Sequence, residues 1–178
     1  EATQLERMLA DAGVAFVPLK VRRPTPHKTR ILSGKHYYLR LDEEQADPFS
    51  EDEASPFEQV VQKNWGKPAA LLVSDYDKGS VSPSLVRWME GEAQRMQVPI
   101  YADLKPRTAT HWQNLNLIAP NLREARELFA QLHPGDAMPK EPADLALALS
   151  RQFSNQVVLK MSERGLLAVN RDGARCRL

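Results

Sequence analysis

Three short apolar runs in this chain end in residues able to do polar chemistry. The run 69–73 gives way to Ser74 and Asp75, with Lys78 close behind. The run 98–102 ends at Asp103, followed by Lys105, and 115–119 leads into Pro120 and Asn121, with Glu124 just beyond. A fourth run, 157–161, opens into Ser162, Glu163 and Gly165. Lysines beside carboxylates suit phosphoryl transfer: the lysines offset phosphate charge, and the carboxylates organise Mg²⁺ through its waters. Helix N-termini add unpaired N–H donors. Singly, Asp and Asn at such places are also ordinary loop starts and helix N-caps. Asn121 and Glu124 are spaced i, i+3, which fits two readings. One is an N-cap with its capping-box glutamate; the other is a pair of side chains offered on one side of a helix's first turn. Spacing alone leaves both open. There is no Walker-A loop, GxGxxG or HExxH, so the classes those motifs define are not supported.

The elements that must position these residues follow from periodicity. Unbroken apolar runs separated by helical patterns predict parallel strands buried on both faces. Those strands are expected at 69–73, 98–102, 115–119 and 157–161, with another at 166–169. Leu85, Trp88, Met89 and Met96 predict one intervening helix face. Leu122, Ala125, Leu128, Phe129 and Leu132 predict a second, and 144–153 a third. Residues 69–170 are thus an α/β core, and in such open sheets ligands bind beyond the carboxyl ends of the strands. All the polar residues named above fall on that rim. The front differs. Leu5, Met8, Leu9 and Ala12 predict a helix stopped by Gly13; 14–21 reads as a strand. Residues 29–33 and 36–41 read as a hairpin about Ser33-Gly34-Lys35. The segment 14–41 is expected to stand apart as a lid or edge. An exposed connector is expected at 45–55, then a short helix through Phe57, Val60, Val61 and Asn64.

Composition bounds the classes. The chain has 178 residues, 42% hydrophobic and 26% charged, enough for one domain with its own core. A net charge of +1 builds in no general attraction to nucleic acid or acidic membrane. Cys176, the single cysteine, excludes an internal disulfide framework and suits a reducing compartment. The longest apolar run, 68–73, is far short of the ~20 residues a membrane helix needs. Charge is segregated, however: 20–40 holds seven Lys or Arg and no acid, and 42–58 holds eight Asp or Glu and no base. Two mutually attracting solvated surfaces would account for this. So would a basic hairpin facing a sugar phosphate, with Lys28 and Arg30 on one strand face. A nucleic-acid hairpin using Tyr37 and Tyr38 as a stacking platform is a weaker third reading, since no RNA-binding motif is present. The histidines show no metal-ligand spacing, and Trp65, Trp88 and Trp112 read as core or rim residues.

Several stretches together resemble the ribokinase-like carbohydrate kinases, and more narrowly the kinase domain of bacterial ADP-heptose synthases. They are His27-Lys28-Thr29-Arg30-Ile31-Leu32-Ser33 with Leu39-Arg40-Leu41-Asp42; Leu72-Val73-Ser74-Asp75-Tyr76-Asp77-Lys78-Gly79; Val98-Pro99-Ile100-Tyr101-Ala102-Asp103-Leu104-Lys105; Ala119-Pro120-Asn121-Leu122-Arg123-Glu124; and Ser162-Glu163-Arg164-Gly165-Leu166. The resemblance implies an α/β fold: a mainly parallel central sheet flanked by helices, with a small β lid over the sugar. It implies ATP and Mg²⁺, and transfer of a phosphoryl group to a sugar phosphate, in this branch the 1-position of heptose 7-phosphate on the way to ADP-heptose for lipopolysaccharide. Nucleotide binding falls to Asn121, Leu122, Arg123, Glu124, Ser162, Glu163 and Gly165, with Glu124 holding Mg²⁺ through water. Phosphate and substrate contacts fall to Lys28, Arg30, Asp75, Lys78, Asp103 and Lys105. The setting implied is cytoplasmic, with no nucleic acid or membrane partner, and with room for a homodimer. The family's Gly-Ala-Gly-Asp element, whose Asp is the catalytic base, has no match in 1–178. The residues therefore read as the central part of one sugar-kinase domain, truncated at both ends, with its base expected outside. Asp103-Leu104-Lys105-Pro106 stands where the heptose branch has Asp-Pro-Lys-Gly. The alternatives are another ribokinase-like kinase with a different acceptor, and a degenerate, non-catalytic chain.

Overall fold

A computed structural model describes all residues except Glu1, Lys20, Arg22, Lys67, Phe153 and Leu178. Lys20 and Arg22 of the basic run, and Phe153 at the end of the third predicted helix, therefore lie outside the described residues. In chain order the elements are α1 (Ala2–Asp11), β1 (His27–Ser33), β2 (His36–Glu43), α2 (Glu51–Asn64), β3 (Leu71–Ser74), α3 (Pro83–Met96), β4 (Ile100–Asp103) and α4 (Pro106–Ala109). There follow β5 (Leu115–Ile118), α5 (Leu122–Leu132), α6 (Pro142–Gln152), β6 (Ser154–Lys160), a 3₁₀ turn (Ser162–Arg164), β7 (Leu166–Asn170) and β8 (Arg175–Arg177).

Six strands form one sheet in the order β3-β4-β5-β6-β7-β8. The first four are parallel, as their helical crossovers require, and β7 and β8 return antiparallel. The core draws on Val73, Ile100, Ala102, Ile118, Val157 and Leu159 from the strands. Leu85, Val86, Leu128, Leu145 and Leu149 come from the helices. The helices start where local chemistry supplies missing acceptors. Ser82 caps α3, with Pro83 next, and its Oγ accepts from the Leu85 N–H at 3.3 Å.

The expectations need three corrections. The residues 14–19 and 21 form no strand; they run along the surface with no ladder partner. The connector 45–55 is shorter than read, because α2 starts at Glu51. There the Glu53 carboxylate accepts from both the N–H (3.0 Å) and the hydroxyl (3.1 Å) of Ser50, and Glu51 and Asp52 favour the first turn. The first core strand begins at Leu71 and is not buried on both faces. Leu72 is 77% exposed, and its register neighbour Tyr101 is exposed on the same side.

The hairpin β1–β2 forms a separate two-stranded antiparallel sheet, every residue of which is exposed. Lys28 faces Asp42 and Arg30 faces Arg40 across it, and a bulge follows Ile31. Its base is fastened to the core by polar contacts. The Arg23 guanidinium grips the Glu53 carboxylate with two 2.6 Å hydrogen bonds and donates to the Asp47 carbonyl at 2.6 Å. Arg107 reaches the Ala46 carbonyl (2.6 Å) and Asp77 (2.7 Å), and Lys78 pairs with Glu44. The Phe49 N–H donates to the Gly79 carbonyl at 2.8 Å. Gly79 has φ +82, and a Cβ there would lie 1.9 Å from the Asp47 carbonyl oxygen, so only glycine admits this approach.

Candidate functional site

The carboxyl ends of β3, β4, β5 and β6 share one rim, and main-chain contacts fix their relative heights. The Asp75 N–H donates to the Asp103 carbonyl (2.9 Å), the Ala119 N–H to that of Ala102 (3.0 Å), and the Lys160 N–H to that of Pro120 (2.9 Å). Asn121 then makes a bridge with Lys160. The four strand ends therefore bring Asp75, Asp103, Asn121 and Lys160 side by side.

Asn121 caps α5. Its Oδ1 accepts the Glu124 N–H at 2.9 Å, and Glu124 Oε2 accepts the Asn121 N–H at 2.9 Å. The capping box is present, yet it uses one carboxylate oxygen only. The other, Oε1, accepts from Lys105 Nζ at 2.6 Å. The contacts make Asn121 and Glu124 a capping box, and the oxygen that the box leaves over is held by Lys105 at the rim, with the Glu124 side chain 7% exposed. Burial, the largest single influence on this carboxyl, works to raise its pKa. The Lys105 hydrogen bond, the Asn121 N–H and the charges of Lys105 and Lys160 together outweigh it and hold the pKa below the usual glutamate value. Lys105 is raised, first by that hydrogen bond to Glu124 and further by Asp103 and Asp75 nearby.

Beside this pair lies a second. Lys160 Nζ bonds both oxygens of Asp103, each at 2.9 Å. Asp75 is buried, 4% exposed, and saturated: one oxygen accepts the Asp77 N–H at 2.7 Å and the other the Thr108 hydroxyl. Asp75 therefore shapes the loop that carries Asp77, itself at φ +56, rather than offering a free carboxylate to the rim. Lys78 turns from the rim to Glu44 at the hairpin base. Pro106, in place of the glycine of the Asp-Pro-Lys-Gly pattern, starts α4 with Lys105 as its N-cap, and Leu104 is buried in the core.

The other expected residues are less gathered. Leu122 packs against the core, and Arg123 is exposed and pairs with Glu127 at 3.4 Å along α5. Neither faces Lys105. Ser162, Glu163 and Gly165 form the turn after β6, on the same rim. Gly165, at φ 80 and ψ −145, takes a conformation suited to glycine, and its carbonyl accepts the Met161 N–H. Lys28 and Arg30 sit on the hairpin, and among the described residues neither has a hydrogen bond or ion pair. They are not drawn into the Lys105–Glu124 cluster. Sequence reasoning missed Lys160, Thr108 and Arg107. Lys160 carried a signal, a lysine interrupting an otherwise apolar strand end.

Mg²⁺ accepts hard oxygen ligands and keeps much of its water. Asp103, 43% exposed on the rim, fits that demand; Glu124, 7% exposed with both oxygens engaged, would meet it only with the oxygen that Lys105 now holds. No three His, Cys, Asp or Glu side chains among the described residues converge as direct ligands.

No family model matches the chain. The bifunctional protein HldE of Azorhizobium caulinodans is 29% identical over 175 residues, covering 97% of this chain and 36% of its own length. That of Hyphomonas neptunium is 31% identical over 153 residues, 85% of this chain and 31% of its own. The chain thus spans about a third of the length of these relatives. Among solved structures, phosphofructokinase-2 from Escherichia coli in complex with fructose-6-phosphate superposes with a TM-score of 0.71 at 18% identity, covering 99% of this chain and 58% of that one. Ribokinase from Giardia lamblia gives 0.68 at 10% identity, over 99% and 58%. The fold is that of the ribokinase-like sugar kinases.

Proposed function

We propose that this chain forms the nucleotide and phosphate end of a sugar-phosphate kinase, acting on heptose 7-phosphate at the 1-position. The observation that carries the reading is the convergence of Asp103, Lys105, Asn121 and Glu124 where α5 begins, on the rim where an α/β sheet binds ligands. The similarity to HldE proteins points to the heptose acceptor. In this reading ATP lies along the rim with its phosphates toward Lys105 and the first turn of α5. Mg²⁺, when bound, neutralises phosphate charge, and Asp103 and Glu124 would hold it through water. Lys28 and Arg30 take the acceptor's 7-phosphate. The hairpin that carries them is fastened at its base to α4 and to the loop after β3 through Arg107, Lys78 and Gly79, which supports a place for it near that end of the sheet. The base that deprotonates the acceptor has no candidate in 1–178. The setting is cytoplasmic, and a second copy covers the bare hairpin.

The test is an acceptor series with Mg²⁺ and ATP, following ADP release and the product by phosphorus NMR. Heptose 7-phosphate should give the 1,7-bisphosphate, and heptose without its phosphate should be a poor acceptor. Preferential turnover of fructose 6-phosphate would transfer the reading to a different acceptor within the same fold. No turnover of any sugar by a protein that contains these residues and a Gly-Ala-Gly-Asp element would end it.

A further inference from the structure

Lys160, the partner of Asp103, has no part in the reading above, and its placement is specific. Lys160 is the last residue of β6, and its backbone is pinned to Pro120 and Asn121 at the start of α5. Around it Val157, Leu159 and Met161 are buried, while Lys160 turns out to the rim. Its ammonium lies on Asp103 and close enough to depress Glu124. The pair is open to water, with side chains 38% and 43% exposed, so it adds little to stability. A surface pair that contributes little to the fold, set among the charges of a binding rim, is better placed to exchange partners than to hold the structure.

We propose that Lys160 is a phosphate-binding residue of this site, resting on Asp103 until a polyphosphate arrives. The ligand class, a polyphosphate carried with a divalent cation, rests on the kinase reading. Lys160 and Lys105 are each matched to one carboxylate, Asp103 and Glu124. An incoming polyphosphate offers both ammonium groups a more highly charged partner, and the long lysine stems can swing without moving the backbone. Two carboxylates are then left facing an anion, an arrangement that repels unless a cation comes too. The four residues therefore form an exchange set: lysines pass from carboxylates to phosphates, and carboxylates pass from lysines to the metal's waters. No bond is made or broken in the exchange. It follows that polyphosphate and divalent cation bind together far better than either alone, and that Lys160 supplies part of the coupling.

The experiment is calorimetric titration of the protein and three variants with inorganic tripolyphosphate, with and without Mg²⁺, and with Mg²⁺ and ATP. Lys160→Met should weaken binding of Mg²⁺ and ATP by about tenfold or more, and Lys160→Arg should keep most of the affinity. Asp103→Asn should tighten metal-free tripolyphosphate, because Lys160 is then released in advance, and should reduce the gain that Mg²⁺ brings. Thermal unfolding of Lys160→Met should match the parent. Equal affinities for parent and Lys160→Met overturn the proposal, as does a parent protein that binds no tripolyphosphate. Sugar phosphorylation is read separately. Its failure, with Lys160-dependent tripolyphosphate binding intact, removes the kinase reading and leaves this residue's role standing.

Discussion

Glu124 divides its two oxygens between a helix cap and a lysine, and this division sets what a substitution can do. Glu124→Gln keeps a carbonyl oxygen that can accept the Asn121 N–H, so the cap survives, while the charge facing Lys105 is lost. Thermal and urea denaturation at neutral pH should show a loss of about 1 kcal/mol or less. In the active enzyme kcat should fall by about tenfold or more, with weaker Mg²⁺ dependence. The pH dependence has a definite sign. The folded pKa of Glu124 lies below its unfolded value of about 4.3, so the unfolded chain takes up the proton first. The carboxylate's contribution is present above that unfolded value and is lost as pH falls through the folded one. Lys105 is raised, so its share is present below its unfolded value and is lost as pH rises through the folded one. The stability gap between parent and Glu124→Gln should therefore be widest between these limits and close in acid. A gap that persists in acid, with kcat unchanged, would make Glu124 a cap alone. Much of this was legible at residue level, because Asn121-x-x-Glu124 is a local signal. That Lys105 and Lys160 each choose a carboxylate was not, since those partners are 19 and 57 residues away in the chain.

Among the elements, the hairpin is held at its base by several polar contacts, one of which needs a close backbone approach. Its base meets the loop after β3 where the Gly79 carbonyl accepts the Phe49 N–H and the Asp47 carbonyl lies against the Gly79 Cα. Gly79→Ala sets a methyl where there is no room, at a φ that L-residues adopt at a cost of order 1–3 kcal/mol. Denaturation should show at least that loss, and hydrogen exchange should rise at Phe49 and in the first turn of α2, where Arg23 holds Glu53. That Glu53 carboxyl is kept down to about 2, first by its hydrogen bonds from Arg23 and next by the Ser50 N–H. Unaltered exchange at Phe49 would show that the latch lies elsewhere. The parallel strands were readable from their apolar runs because burial dictates composition. Residues 14–21 misled for the same reason: Val14, Phe16 and Val17 have the composition of a strand but no neighbouring backbone to pair with. β8, Arg175–Arg177, was missed because an edge strand of two arginines about a cysteine carries no apolar signal. The start of α2 was missed because Ser50 and Glu53, its capping pair, were read as connector composition.

At the scale of the molecule, the mainly parallel sheet with a detached hairpin was legible, and the surfaces left uncovered were not, because exposure depends on what packs where. Among the described residues, the apolar surfaces that face water include the stripe of α1 with Leu5 and Met8, the sheet face with Leu72 and Tyr101, and the hairpin face with Ile31, Leu39 and Leu41. Ile31 pairs with Leu39 and Thr29 with Leu41, so this last face is continuous, while Lys28, Arg30, Arg40 and Asp42 lie opposite. A two-stranded sheet bare on both sides is marginal in water and gains most from being covered. In the proposed homodimer a second copy of the same hairpin would supply a matching apolar face through a two-fold axis and leave the face with Lys28 and Arg30 uncovered. Sedimentation velocity should therefore show concentration-dependent pairing of the protein. Ile31→Asp and Leu39→Asp should each move the population to monomer without lowering the midpoint of core unfolding, since the hairpin sheet contributes no residue to the hydrophobic core. Leu72→Lys, on the sheet face, should leave the pairing intact and only reduce binding of a hydrophobic dye. If Leu72→Lys separates the copies and Ile31→Asp does not, the copies meet across the sheet face of β3 and β4 and the hairpin works uncovered.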